Sequence, residues 1–259
     1  MCGRYTLTAK QEELVQRFLL KQIAEELMNE LKPRYNIGPS QKIFAVRQSS
    51  EHDGRELAVF SWGLIPFWAK DPKIGYKTIN ARSETVVEKP AYRAAIKSRR
   101  CLIPASGFYE WRREEKSRPK QPFYVTMASG DVFSMAGLWE SWKSPEGAVI
   151  VSCSILTTSA NEIMAPVHHR MPVIIDEENY DCWLDLEEKN PEKLKSLFKP
   201  YASKQMICYP ISTLVNSPRN EGVELLQEID PKVGQFKEPP RDELFNRHGE
   251  TDVVGCPEG

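Results

Sequence analysis

The sequence has no C-x-x-C pair, no glycine-rich phosphate loop and no repeating strand–helix–strand pattern. Its six cysteines, Cys2, Cys101, Cys153, Cys182, Cys208 and Cys256, are scattered, which argues against both a zinc site and a disulfide scaffold. No run approaches the roughly 20 apolar residues that a membrane span needs. A basic-then-apolar leader is missing as well, so the expected location is the cytoplasm, without membrane association. Charge of either sign is also lacking overall, with a net value of −1, so the balance alone points to no polyanionic partner. The distribution is less even: residues 227–259 hold eight acidic and four basic side chains, leaving 28 acidic and 31 basic in residues 1–226. A body near +3 permits a local basic groove.

The chain does have enough apolar sequence, 41%, to bury a core within its 259 residues. Thr8 and Gln11 have capping-box spacing, and Leu20, Ile23, Ala24, Leu27 and Leu31 recur at helical spacing. This predicts one helix over 9–31, ending before Pro33. Residues 34–39 read as an extended loop. Strands are expected at 43–46, 57–62, 101–104, 108–112, 123–127, 132–139, 149–157, 206–211 and 223–226. Helices are expected at 91–99, from an Asp176 cap to Leu184, and from Asn190-Pro191 to Leu197. The stretch 112–120 reads as a solvated hairpin turn and 230–259 as a mostly disordered, Pro- and charge-rich tail. The irregular mixture indicates an α+β fold with antiparallel sheets, one domain over 2–226 and a tail over 227–259.

Chemistry concentrates in four places. Removal of Met1 ahead of a small residue would leave Cys2 leading the chain, with an amine and a thiol on adjacent carbons. An amine attacks an aldehyde to give a Schiff base, and a neighbouring thiolate can close a five-membered thiazolidine ring. Cys2 is therefore a candidate aldehyde trap, although chain termini are often frayed and without function. Glu110, between Tyr109 and Trp111, is a carboxylate whose burial would keep it protonated as a general acid; taken alone, a strand Glu in this setting more often faces outward. His168-His169-Arg170 is the only histidine pair and could serve proton transfer and phosphate binding, or be structural. Asn80 and Arg82 lie two apart, on one face if extended, and would suit sugar and phosphate contacts or a polar turn.

The motifs Met1-Cys2-Gly3-Arg4-Tyr5, Arg34-Tyr35-Asn36, Trp62-Gly63-Leu64-Ile65-Pro66, Asn80-Ala81-Arg82-Ser83-Glu84, Arg100-Cys101-Leu102-Ile103-Pro104, Gly107-Phe108-Tyr109-Glu110-Trp111, His168-His169-Arg170-Met171-Pro172 and Val215-Asn216-Ser217 occur in order. Together they closely resemble the SRAP family of abasic-site processing proteins, over residues 2 to about 226. The resemblance implies a single α+β domain with barrel-like antiparallel sheets flanked by helices. It also implies a basic cleft for single-stranded DNA and single-strand/double-strand junctions carrying an abasic site. The implied reaction is a stable thiazolidine cross-link between Cys2 and the abasic aldehyde, with possible lyase and self-processing peptidase activities and no cofactor or metal. Carried over residue by residue, Cys2 is the nucleophile and Glu110 the acid/base. His168 manages protons at the sugar, and Asn80 positions the adduct. Arg4, Asn36, Arg82 and Arg170 are the implied DNA contacts, with Phe67 or Trp68 stacking on a base. His169 departs from the pattern, since relatives often carry Asp there. A monomer bound to DNA, and so associated with the nucleoid, is expected.

Two other readings compete. An N-terminal Cys also serves glutamine amidotransferases, but that chemistry gives no role to Glu110 or His168. A non-covalent single-strand-binding module would use the same aromatic and Arg residues by stacking and phosphate contact, with Cys2 incidental.

Overall fold

A computed structural model describes residues 2–21, 23–49, 54–112, 120–230 and 235–236. Its strands, in chain order, are β1 (Tyr5–Leu7), β2 (Arg34–Ile37), β3 (Lys42–Gln48), β4 (Arg55–Trp62), β5 (Asn80–Arg82), β6 (Arg100–Ala105), β7 (Gly107–Arg112), β8 (Gln121–Met127), β9 (Phe133–Lys143), β10 (Val149–Ser159), β11 (Arg170–Pro172), β12 (Ile174–Ile175) and β13 (Met206–Pro210). The α-helices are α1 (Gln11–Phe18), α2 (Glu25–Glu30), α3 (Ala95–Ser98) and α4 (Tyr180–Leu184).

The two longest strands, β9 and β10, are rich in β-branched and aromatic residues and pair antiparallel from Val149↔Lys143 to Ile155↔Gly137. From there the ladder runs β9–β6–β3–β4 and returns to β10, which closes a barrel and leaves no edge around it. Gly137 has to be glycine, because a Cβ there would stand 2.7 Å from the Cys101 sulfur. Strands β5 and β11 extend the barrel by pairing with the far end of β10, and β12 pairs with β9. A second, antiparallel sheet runs β13–β8–β7–β1–β2. The chain passes from barrel to sheet at Ser106, where β6 ends and β7 begins. Gly107 opens β7 directly under the Tyr124 ring, where a Cβ would come within 2.2 Å. The main core lies between the sheets and under the helices, with Trp62, Trp183, Phe18 and Phe60 fully enclosed.

The α+β architecture with mostly antiparallel, barrel-like sheets is as expected, and the middle strands fall close to their expected bounds. Two pairings differ, since β10 runs parallel to both β4 and β5. The single helix over 9–31 is two helices. Leu19 adopts φ 51°, ψ 46°, and the chain turns out of α1 so that Leu20 bridges to Arg55. Arg55 Nη1 then donates to the Phe18 carbonyl at 3.1 Å, satisfying one of the carbonyls left open at the helix end. Helix α1 is capped by Lys10 and Glu13, with Glu13 Oε2 accepting from Lys10 N at 2.7 Å, and not by Thr8 and Gln11.

Residues 34–37 form β2 and not a loop, because β1 offers them an open edge. Residues 223–226 form a 3₁₀ turn, not a strand, with Leu225 N bonded back to Gly222 O. Helical structure in 91–99 is regular only in α3, after a series of turns from Arg82. The segment 191–198 is 3₁₀, with Asn190 accepting from Glu192 N, while Asp176 makes no side-chain cap. Past residue 226 the structure continues through a buried Ile229, and Ile229–Asp230 pair with Gln235–Phe236. The hairpin turn at 113–119 and the rest of the expected tail lie outside the described residues.

Candidate active site

Strand β1 sits between β2 and β7, with Tyr5 opposite Phe108, and Tyr109 N donates to the Arg4 carbonyl at 2.9 Å. This pairing carries the first residues of the chain alongside β7 and its Glu110. Cys2 is fully buried, and its Sγ lies 4.0 Å from the Arg4 carbonyl oxygen. From the barrel side, β5 lies parallel to β10, which places Asn80 next to the same segment. Asn80 Nδ2 donates to the Cys2 carbonyl oxygen at 2.8 Å. Asn80 is itself fixed from behind by Tyr92, whose hydroxyl donates to the Asn80 carbonyl at 3.1 Å.

Glu110 faces inward and is only 3% exposed, so the inward alternative is the one adopted. Burial raises its pKa above the ordinary carboxylate value. His168 reaches it across the seam, with Nδ1 4.0 Å from Glu110 Oε1. A turn over 161–168, capped by Asn161 Oδ1 accepting from Met164 N at 3.0 Å, delivers His168 to the start of β11. His168 Nδ1 is held by the Arg170 backbone, 3.0 Å from its N–H and 3.2 Å from its carbonyl oxygen. His169 is exposed and stacks on His168 with ring centres 4.4 Å apart. The charge of His168, before desolvation, holds the His169 pKa down.

Burial also raises the Cys2 thiol well above its ordinary pKa, and the neighbouring Glu110 carboxylate adds to the effect. The thiol therefore rests protonated, within the electrostatic reach of Glu110.

The four residues expected to carry chemistry, Cys2, Asn80, Glu110 and His168, thus converge on the seam between the two sheets. The expected DNA contacts divide into two groups. Arg82, Phe67 and Trp68 are exposed, with Phe67 at 59% and Trp68 at 48%. The Trp68 indole rests on the Pro90 carbonyl at 3.4 Å. Arg4, Asn36 and Arg170 are engaged within the protein. Arg4 Nη1 donates to Asn36 Oδ1 at 2.6 Å and to the Val215 carbonyl at 3.1 Å. Asn36 is buried, and its Nδ2 donates to the Ser217 and Asn220 carbonyls, so its amide is spent on holding the 213–220 loop and Arg4. Arg170 forms a two-pronged pair with Glu84, at 2.5 and 2.9 Å, and donates to the Thr157 carbonyl at 2.6 Å. That pairing holds the Glu84 carboxyl below its usual pKa.

Tyr92, Thr157 and Glu84 were not singled out from the sequence. Only Glu84 carried a signal, its position two residues after Arg82. The others depend on long-range pairing that local sequence does not display.

The motifs that carry Cys2, Asn80, Glu110 and His168 meet at this seam. The family model described as SOS response associated peptidase (SRAP) matches residues 1–218. The chain belongs to the SRAP family. Its relatives include the abasic site processing protein YoqW of Bacillus subtilis, 44% identical over 227 residues, covering 88% of this chain and 99% of that one. Another is the abasic site processing protein HMCES of Gallus gallus, 32% identical, covering 77% of this chain and 67% of the relative. Among solved structures, a crystal structure of a Bacteroides thetaiotaomicron protein matches this SRAP chain with a TM-score of 0.78 at 29% identity, covering 88% and 100% of the two chains. Among the described residues of this SRAP chain no helix is long and apolar enough to cross a membrane.

Proposed function

We propose that the protein processes abasic sites in single-stranded DNA, capturing the sugar aldehyde covalently on Cys2. The observation that carries this reading is the meeting of the Cys2 backbone, the Asn80 amide, a buried Glu110 and His168 at one seam. With Met1 removed, the α-amine and thiol of Cys2 are both available there.

The abasic sugar is mostly closed as a hemiacetal, so its ring must open first. Proton delivery to the ring oxygen as its bond to C1′ breaks, with loss of the hydroxyl proton from C1′, gives the aldehyde; His168 and Glu110 are the exchanging pair. The Cys2 amine then attacks C1′. The carbinolamine loses its hydroxyl as water, with the proton supplied by Glu110, and a Schiff base remains. The thiol sulfur adds to the same carbon while its proton passes through the Glu110 carboxylate to the nitrogen. The product is a thiazolidine, and the overall stoichiometry is aldehyde plus Cys giving thiazolidine plus water. Because the thiol rests protonated, the amine reacts first and the thiol second. Asn80 holds the Cys2 carbonyl so that neither nucleophile drifts from C1′.

Arg82 and the exposed Phe67 and Trp68 contact the strand directly. Arg4 and Arg170 border the site as fixed positive charges, oriented by Asn36 and Glu84. Elimination from the Schiff base would cleave the strand, and ring closure by the thiol competes with it. Intact-mass spectrometry with an abasic oligonucleotide is the test. An adduct of protein plus DNA minus one water that survives hot detergent supports the reading. Salt-sensitive binding without any adduct would leave only a non-covalent single-strand binder.

A further inference from the structure

Outside the seam, a group of positive charges lines a hollow of about 610 Å³ beside α3. Arg93, Lys97, Arg99 and Lys189 surround an apolar floor of Val87 and Ala94, with no acidic residue in the lining. Arg93, Lys97 and Lys189 are exposed, and none has an ion pair or side-chain hydrogen bond among the described residues. Arg99 is the exception: its Nη2 donates to Glu140 at 2.8 Å, yet its buried Nε has no acceptor among the described residues. Three cations unpaired among the described residues stand around one cavity and repel one another, and an anion with several oxygens in the hollow relieves that repulsion.

The hollow is also joined to the seam by a hydrogen-bonded stretch of chain. Successive turns connect Arg82 to Arg99: Lys89 N bonds to Thr85 O, Arg93 N to Lys89 O, Ile96 N to Tyr92 O and Arg99 N to Ala95 O. Within this segment Tyr92 points inward to the Asn80 carbonyl, while its neighbour Arg93 points outward to the hollow. Pro90 receives the Trp68 indole. The exposed Arg82 and the basic hollow therefore lie on one continuous piece of chain, and the exposed Trp68 is bonded to it at Pro90, between them in sequence.

We propose that this hollow is a second phosphate subsite, taking the backbone of the DNA strand that flanks the damaged nucleotide. It rests on the reading of the protein as a DNA binder and extends the contact surface to Arg93, Lys97 and Lys189. The ligand chemistry is a phosphate group, and the track from Arg82 past Trp68 favours a phosphodiester backbone over a free anion.

The test replaces Arg93→Gln, Lys97→Gln and Lys189→Gln together, with thermal melting to verify folding. Binding of undamaged single strands of about 16 and about 4 nucleotides is titrated against salt. Each lost phosphate contact lowers the log–log salt slope by about 0.7, so the longer strand should lose about 2 from its slope. The shorter strand, held at the seam by Arg82 and Trp68, should keep its slope. An unchanged slope for the longer strand overturns the proposal, as does binding of inorganic phosphate in the hollow without any effect on that slope. The two readings can fail separately. A wild-type protein that forms no abasic adduct while the triple variant still loses slope refutes the covalent function and retains the subsite. A wild-type adduct with unchanged slope does the reverse, and a wild type that binds no DNA refutes both.

Discussion

The side-chain amide of Asn80 donates to the backbone carbonyl of Cys2 at 2.8 Å, so a residue on the barrel extension fixes the start of a chain that belongs to the other sheet. One hydrogen bond of this kind contributes about 0.5–1.5 kcal/mol, equivalent to a roughly 2- to 12-fold effect. Asn80→Ala should therefore slow adduct formation by about that factor at saturating DNA, leaving DNA affinity unchanged. Asn80→Asp should be worse, because a carboxylate would face the carbonyl oxygen. Single-turnover cross-linking followed by mass spectrometry is the measurement. Equal rates for wild type and both variants would remove Asn80 from the site.

Cys2 carries two nucleophiles that can be separated. Cys2→Ser keeps the α-amine and loses the thiol, so it should give only a hydrolysable Schiff base that borohydride traps. Cys2→Ala should behave likewise. A heat-stable adduct from Cys2→Ala at the wild-type yield would exclude the thiazolidine. Blocking the amine with a retained Met1 should abolish reaction altogether, and an N-terminally blocked chain that still cross-links contradicts the requirement that Cys2 lead.

Glu110 links the chemistry to stability through its raised pKa. Its proton is held more tightly in the folded chain than in the unfolded one. Its contribution to stability is thus fully present below the ordinary carboxylate pKa and is lost as pH rises through the raised folded value. Glu110→Gln should melt higher than wild type near neutral pH, and the advantage should shrink in acid. The same proton serves as the general acid, so wild-type cross-linking should lose rate as pH rises through that value. Glu110→Gln should lose this pH dependence and be slower by about 10²–10⁴-fold. A variant that matches wild type in rate and pH profile makes Glu110 a structural carboxylate.

How far the sequence reveals this molecule depends on the range of the interaction. Alternation of apolar residues is a local signal, and it located β9, β10 and the strands around Glu110 within a few residues. The parallel return of β10 to β4 and β5 has no local signature, because nothing in Val149–Ser159 encodes which strands it will meet. The break at Leu19 was hidden for a related reason. Leu20 and Ile23 keep helical spacing, yet the Leu20 bridge to Arg55 and the Arg55 bond to Phe18 outweigh the helical preference. At the site, residue types announced chemistry, so Cys2, Glu110 and His168 could be named. Asn36 and Arg170 were legible as polar residues in motifs, but their partners lie far along the chain, 32 to 184 residues away for Asn36 and 13 and 86 for Arg170.

Arg82 and Arg170, two cations from the strands that flank the far end of β10, should therefore respond differently to removal. Arg82 is exposed. Arg82→Ala should weaken single-strand binding and lower the log–log salt slope by about 0.7, with melting unchanged. Arg170 is 8% exposed and holds Glu84 and the Thr157 carbonyl. Losing a buried partner of this kind costs about 3–5 kcal/mol. Because Glu84 is itself half exposed, solvent screening reduces that figure to about 1–3 kcal/mol. Arg170→Ala should lower the melting temperature accordingly. The depressed pKa of Glu84 gives this loss a pH signature. The pair stabilises above the ordinary carboxylate pKa and fades as pH falls through the lowered folded value, so wild type and Arg170→Ala should converge in stability toward acid. If Arg170→Ala melts like wild type at neutral pH while its DNA salt slope falls, the guanidinium serves the DNA and not the fold, and the division between the two arginines collapses.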